Sequence, residues 1–222
     1  MGEIVFKEVS FEEKGKTLLE EISFSIAEGE LFMIKSPSAQ ESLALLRLIQ
    51  GFAKPTKGLV QIDFSTKDYS IGSNLIPFLN VLTAKQTLAL PLISRGYSKV
   101  ESDNKIKEIA KYFSLEGCLD MQVKDLNKSE KALLGVCKAV VAEPSLVLLD
   151  EFSSDLDHKH AVLVMTYLHE ISVDYEVSVV MVENDRRLHP FAGKILHLED
   201  QKIKDLVGEG VDLNKLMPFL KI

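Results

Sequence analysis

The sequence has only two cysteines, Cys118 and Cys137, and they form neither a CxxC pair nor a cluster with histidine. That spacing supports no disulfide framework and no zinc site, and leaves both residues as small hydrophobes. Long hydrophobic runs are missing too. Apolar runs such as Ser145 to Leu149 and Val177 to Val182 fall far short of the ~20 residues of a membrane-spanning helix. The start, Met1-Gly2-Glu3-Ile4, shows neither a basic nor an apolar leader, so a cytosolic chain is expected. Clustered basic charge is also lacking: 33 acidic residues outnumber 26 basic ones, for a net charge of −7. A nucleic-acid partner is therefore not expected, because affinity for a phosphate backbone comes from grouped Lys and Arg. No internal repeat and no low-complexity segment interrupts the chain.

What is present is ordinary globular material, 46% hydrophobic and 27% charged. At 222 residues it suffices for one α/β domain, or for a core with a smaller inserted lobe. Glu3 to Phe11 and Ile22 to Ile26 alternate apolar and polar residues like half-buried strands, and the Glu28-Gly29 turn leads into the apolar run Leu31 to Ile34. From Glu41 the positions Leu45, Leu46, Leu48 and Ile49 keep helical spacing until Gly51 and Pro55, and a short strand follows over Leu59 to Ile62. Residues 98–140 read as helical. A β/α pattern then resumes with strands at Leu146 to Leu149 and Val177 to Val182, a helix from His158 to about Ile171, and short strands near Ile195 to Leu198 and at Ile203. Val211 to Ile222 has the spacing of a last short helix. Alternating β and α implies a mostly parallel sheet with helices on its faces. In such a sheet ligands bind at the carboxyl ends of the strands, which singles out the loops Lys35 to Leu43 and Asp150 to Asp157.

Leu146-Val147-Leu148-Leu149-Asp150-Glu151 is an apolar strand ending in two carboxylates, an arrangement that can hold a Mg²⁺ shell and polarise a water. Taken alone, it describes any buried strand ending at the solvent edge. Here Pro144 precedes it and Ser153-Ser154-Asp155-Leu156-Asp157 follows. With them, Leu126 to Asp157 resembles the signature helix, Walker B strand and D-loop of ABC ATPases without a gap. Ser36 to Ile49, with Pro37, Ser38 and Leu45-Leu46-Arg47-Leu48-Ile49 in register, resembles a Walker A loop and its helix. Asn74-Leu75-Ile76-Pro77 and Leu90-Pro91-Leu92 are similar to the segment after the Q-loop of the small exporter-type members, those of lipoprotein release, macrolide efflux and cell division. The resemblance runs from Ile4 to about Ile203.

It implies a P-loop NTPase-like ABC ATPase fold: an α/β core with a mostly parallel sheet, an N-terminal antiparallel β part and an inserted helical lobe. The expected single domain, 1–222, divides into a core with β subdomain over about 1–82 and 143–222 and a helical lobe over about 83–142. The resemblance also implies residues that this sequence lacks. A working P-loop wraps phosphates with backbone N–H groups at a helix N-terminus, and uses glycines for close approach and a lysine for charge. The corresponding glycine positions carry Ser36, Ala39 and Glu41, the lysine position Ser42, and the Mg²⁺-ligating hydroxyl position Leu43. Glu41 suits a helix N-terminus as a capping anion and would repel a triphosphate. Lys35 and Lys54 are the cations that could swing toward the loop. The adenine-stacking aromatic aligns with Glu13, two residues from Phe11, and the Q-loop glutamine with Ile71 or a neighbour. The signature reads Asn127, Lys128, Ser129, Glu130 after Leu126, and the switch histidine aligns with Asn184.

Asp150 and Glu151 are thus expected as vestigial catalytic positions, and Phe152, where the family has proline, as an aromatic filling the space a nucleotide would take. No metal and no cofactor are expected, with Mg-ATP only if a composite site still hydrolyses it. The expected function is a pseudo-ATPase subunit at the inner face of the cell membrane, docked on the transmembrane subunit of an ABC complex. Homodimers, or heterodimers with another ABC subunit, are the further partners the resemblance implies. The docking groove would draw on Asn74, Phe78 and Leu79, with Leu75, Val81 and Leu82 in the core. Two alternatives stand beside this reading: an ATPase completed by a partner subunit, and a soluble regulatory scaffold, against which an exposed apolar patch near Phe78 would speak.

Overall fold

The structure is a computed structural model that describes residues 2–63, 69–71 and 78–208, with the backbone alone at Tyr69 and Ile71. Asn74, the Leu75-Ile76 pair and the helix expected over Val211 to Ile222 lie outside the described residues.

Three buried runs make the centre. β3 (Leu31–Lys35), β6 (Leu146–Asp150) and β7 (Ser178–Val182) are buried along nearly their whole length, as strands covered on both faces must be. Flanked by β5 (Tyr69–Ile71), β8 (Lys194–Glu199) and β9 (Lys202–Val207), they form a six-stranded sheet in the order β5-β6-β7-β3-β8-β9, parallel except for the last pair. Because successive side chains point to opposite faces, each central strand serves two cores. Phe32, Ile34, Leu146, Leu148, Val180 and Val182 join one apolar cluster, and their neighbours Met33, Val147, Leu149, Val179 and Met181 join the other.

The first cluster is covered by α1 (Ala39–Ile49) and by a three-stranded antiparallel sheet, β2-β1-β4, of β1 (Glu3–Glu13), β2 (Lys16–Ala27) and β4 (Lys57–Ile62). Phe6, Phe24 and Phe32 stack in series, with centroids 4.5 and 5.6 Å apart, and so tie the antiparallel sheet to the parallel one. The second cluster is covered by α2 (Ala84–Ser94), α3 (Lys99–Tyr112), α4 (Lys128–Val140) and α5 (His158–Asp174). Capping boxes start three of these helices: Thr83 with Gln86, Ser98 with Glu101, and Asn127 with Glu130.

The expected fold class is therefore what the chain adopts. Two elements were not foreseen. α2 is apolar on most sides and contains Pro91, so it has neither a clean stripe nor an uninterrupted pattern. β5 is three residues long and leaves too short a period to read.

Candidate functional site

The carboxyl ends of β3, β6 and β7 bring three loops together, and nearly all the Walker-type positions sit on them. Sequence suggested a helix from Glu41, but α1 begins at Ala39. The reason is local. Alanine, glutamine and glutamate at 39–41 favour helix where glycines would resist it, and Ser38 is an N-cap whose backbone and hydroxyl oxygens both accept from Glu41 N–H, at 3.1 and 3.4 Å. Ser42 N–H donates to Ser38 O at 3.1 Å, Ser38 N–H to Ser36 Oγ at 3.1 Å, and Ser36 N–H to Asn184 Oδ1 at 3.2 Å. Four amides of the loop are thus bonded within the protein. Ser42 Oγ turns back onto Ser38 O and Ala39 O, each at 3.3 Å. Leu43 is 41% exposed on the outer side of α1.

Glu41 departs from the expected role. Ser38 does the capping, and Glu41, in the first turn, contributes only its charge to the helix dipole. Its carboxyl is buried, and Oε2 has no hydrogen-bond partner among the described residues.

Asn184 links the loops. Its amide nitrogen donates to Glu151 Oε1 at 3.3 Å while its oxygen holds Ser36 N–H, so one side chain joins the ends of β3, β6 and β7. Glu151 takes a left-handed conformation, φ 42°, and its N–H donates to Val182 O at 2.9 Å. Glu183, not singled out in the sequence, is 3% exposed; its Oε1 accepts from Asp185 N–H at 2.9 Å. The signal that could have found it is an acid placed directly after the buried run Val179 to Val182.

Burial, then the nearby charges of Glu151 and Glu183, push the Asp150 carboxyl up to about 6. An acid whose pKa rises on folding binds an extra proton in the native state, so its contribution is full below 3.8 and is lost as pH climbs through about 6. Two pKa units convert to about 3 kcal/mol, which partial exposure of the carboxyl discounts to about 1–2 kcal/mol. Asp150→Asn removes that loss. In urea melts its stability relative to the parent should rise by about 1–2 kcal/mol between pH 4 and 6, and a difference that is flat with pH would refute the buried-acid assignment.

Glu13 stands at the expected adenine-stacking position, with Phe11 as the other residue that could be argued for it. Phe11 is buried in the core cluster of α1 and is not available to stack, which corrects the option that it could serve. Glu13 Oε1 instead pairs with Arg47 Nη1 at 2.7 Å, and that hydrogen bond holds the carboxyl below its usual range. Lys16 Nζ donates to Gln40 Oε1 at 2.7 Å, so two contacts fasten the β1-β2 hairpin to α1. Lys35 closes β3, and Lys54 is exposed in the loop after α1.

The signature positions form a second feature. Asn127 Oδ1 accepts from Glu130 N–H and Glu130 Oε2 from Asn127 N–H, so the start of α4 is capped by its own side chains. Ser129 Oγ donates to Asp155 O at 2.9 Å, which holds α4 on the 3₁₀ turn Phe152–Asp155 that follows Glu151. Phe152 is not where a nucleotide would lie: it is 1% exposed in the cluster under α4 and α5, on the face of the sheet opposite α1.

The apolar surface is also redistributed. Leu79 is 62% exposed as expected, but Phe78 is half-buried against the core, with Lys138 Nζ 5.8 Å from its ring centre. Val81, expected in the core, is 75% exposed, and Leu90 and Ile93 of α2 are exposed as well. The cause lies in α2, whose other face, Ala84, Leu88 and Leu92, already fills the core beneath it. Among the described residues no helix is long and apolar enough to cross a membrane.

Comparison with known proteins agrees with the fold. The sequence profile of the family described as ABC transporter matches residues 19–154. The taurine import ATP-binding protein TauB of Pseudomonas aeruginosa is 31% identical over 159 residues, which are 67% of this chain and 59% of that protein's length. HrtA of Staphylococcus aureus, an ATP-binding protein named for hemin import, is 26% identical over 204 residues, 85% of this chain and 91% of that one. A solved dimeric structure of a bacterial ABC transporter cassette superposes with a TM-score of 0.83 at 23% identity, over 94% of this chain and 99% of that one.

Proposed function

The chain belongs to the ABC transporter family of ATP-binding domains, and we propose that within it this protein is a pseudo-ATPase subunit, one that keeps the cassette fold and its docking surface but no longer takes Mg·ATP. The observation that carries the reading is the bonding of the loop after β3. The amides of Ser36, Ser38, Glu41 and Ser42 are committed to Asn184, Ser36 and Ser38. A triphosphate would have to break these bonds and approach Glu41, Asp150, Glu151 and Glu183 without a lysine to offset its charge. The residues present do not fit Mg·ATP, because Leu43 offers hydrocarbon where the metal needs an oxygen. Forgoing these contacts removes several kcal/mol of phosphate binding, at about 1.5–3 kcal/mol per charged hydrogen bond.

The exposed apolar side chains of Leu79, Val81, Leu90 and Ile93 support the second half of the reading. A helix with an apolar face, presented by the transmembrane subunit of a transport complex, is the partner such side chains suit. On this reading the chain sits at the inner face of the membrane, and exposed apolar side chains speak against a free soluble scaffold. Retained Asp150 and Glu151 favour the alternative of a site completed by another ABC subunit, but the capped start of α4 is a poor contribution to such a pair.

Isothermal titration of the purified chain with Mg·ATP at millimolar ligand tests the reading, with an intact-loop relative as positive control. No heat beyond dilution is the expected result. Saturable binding at ~10 μM, about −7 kcal/mol, would overturn it.

A further inference from the structure

Among the described residues β2 and β9 are the outermost strands of their two sheets. Glu20 N–H of β2 donates to Gln201 O, just before β9, at 2.8 Å. Beside that bond lies a cleft of about 360 Å³, lined by Glu20 to Ser23 of β2 and by Lys202 and Ile203 of β9. Its floor is apolar, since Ile22 and Ile203 pack on the cluster under α1. Further along β9, Leu206 stands opposite Leu196 as Ile203 stands opposite Leu198, so both lie on the face of that same cluster. Leu206 is nevertheless 43% exposed, and Val207 is exposed beside it. Lysines at 202 and 204 guard the first half of this edge against strand pairing, but its second half is bare apolar surface. At the rim of the cleft Lys202 Nζ pairs with Glu20 Oε2 at 3.1 Å, whereas the Glu21 carboxylate has no partner among the described residues.

We infer that this cleft and the Leu206 side of β9 are the docking surface for residues 209–222 of the same chain. The inference is independent of how the loop after β3 treats nucleotide. Leu213, Leu216, Met217 and Leu220 recur at helical spacing, so on a helix they form one stripe. At about 100° per residue Lys221 borders that stripe and Lys215 falls opposite it. Pro218 forgoes one helical hydrogen bond there, as Pro91 does inside α2. The reach fits. From Val207 back to Lys202 is about 17 Å at ~3.4 Å per strand residue. Val211 to Lys221 covers about 15 Å on a helix, after a turn at Gly208-Glu209-Gly210. Running back along β9, the stripe covers Leu206 and then Ile203, and Lys221 arrives at Glu21. Charge order agrees, because Glu209 and Asp212 come first and Lys215 and Lys221 last, so the basic end meets Glu20 and Glu21. The short tether holds the segment at an effective concentration in the millimolar range, which favours it over a second copy as the occupant.

Thiol labelling of the full chain carrying Leu206→Cys tests this, with the label at position 206 read by mass so that Cys118 and Cys137 do not enter. The full chain is expected to react about tenfold or more slowly than the same chain ending at Gly208, at a rate independent of chain concentration. Leu216→Glu in the full chain should abolish the protection as the truncation does, which keeps the test decisive if the shortened chain fails to fold. Lys221→Glu and Glu21→Lys should each speed labelling about two- to fivefold and together restore the parent rate, while Lys215→Glu leaves it unchanged. Equal labelling of the full and shortened chains, or indifference to Leu216→Glu, overturns the docking. Protection that grows with chain concentration assigns the cleft to a second copy and overturns it too.

Discussion

A chain carrying Ser36→Gly, Ala39→Gly, Glu41→Gly, Ser42→Lys and Leu43→Ser binds Mg·ATP saturably, where the parent gives no heat beyond dilution. The three glycines act on the backbone. Those at 39 and 41 disfavour helix by up to about 1 kcal/mol each, which works against the two residues α1 adds at its start and loosens the amides now held by Ser38, and Ser36→Gly removes the hydroxyl that holds Ser38 N–H. Glu41→Gly also removes a buried carboxylate from the path of the phosphates. Ser42→Lys supplies a charged donor and Leu43→Ser a metal-ligating oxygen. The expected Kd is about 1 mM or tighter, or −4 kcal/mol and beyond. Keeping Ser42 in an otherwise identical variant should cost about 1.5–3 kcal/mol and take binding out of range again. If the five-fold variant has native circular dichroism and still binds nothing, the block lies instead in the Asn184 link and the Glu13–Arg47 pair that fastens the hairpin to α1.

The central strands were legible because their burial is written in composition. Leu146 to Leu149 and Val179 to Val182 are continuous apolar runs, as strands covered on both faces require. From their order followed the ends where loops meet, and Ser36, Asn184 and Glu151 do meet there. Bonding within the loop was not legible. The sequence shows that glycines and a lysine are missing, but not that Ser38 recruits two further residues into α1 or that Asn184 grips both Ser36 and Glu151. Such bonds depend on which loops face each other across β3, β6 and β7. Surface exposure at Val81 was misread for the same kind of reason, since α2, hidden by Pro91 and an apolar circumference, decides which neighbours are already covered.

Phe152→Ala should lower unfolding stability by about 3–5 kcal/mol, the usual loss for a fully buried aromatic, out of a total of about 5–15 kcal/mol. For a domain of this size that is a fall of about 6–20 °C in Tm. The magnitude decides between two places for the ring. A phenylalanine lying in a vacated nucleotide site, with water on one side, would cost far less to remove. In the cluster under α4 and α5, among Leu149, Leu133 and Val164, its loss leaves a cavity that packed helices cannot close. Phe152→Leu, which refills most of the volume, should cost about 1.5 kcal/mol or less if the site repacks. Urea titration gives both values, with an unchanged m confirming that the native state alone is affected. The consequence reaches the surface, because Phe152 opens the turn whose Asp155 carbonyl holds Ser129 and α4. A ring that anchors this turn therefore also fixes the seat of the first turn of α4.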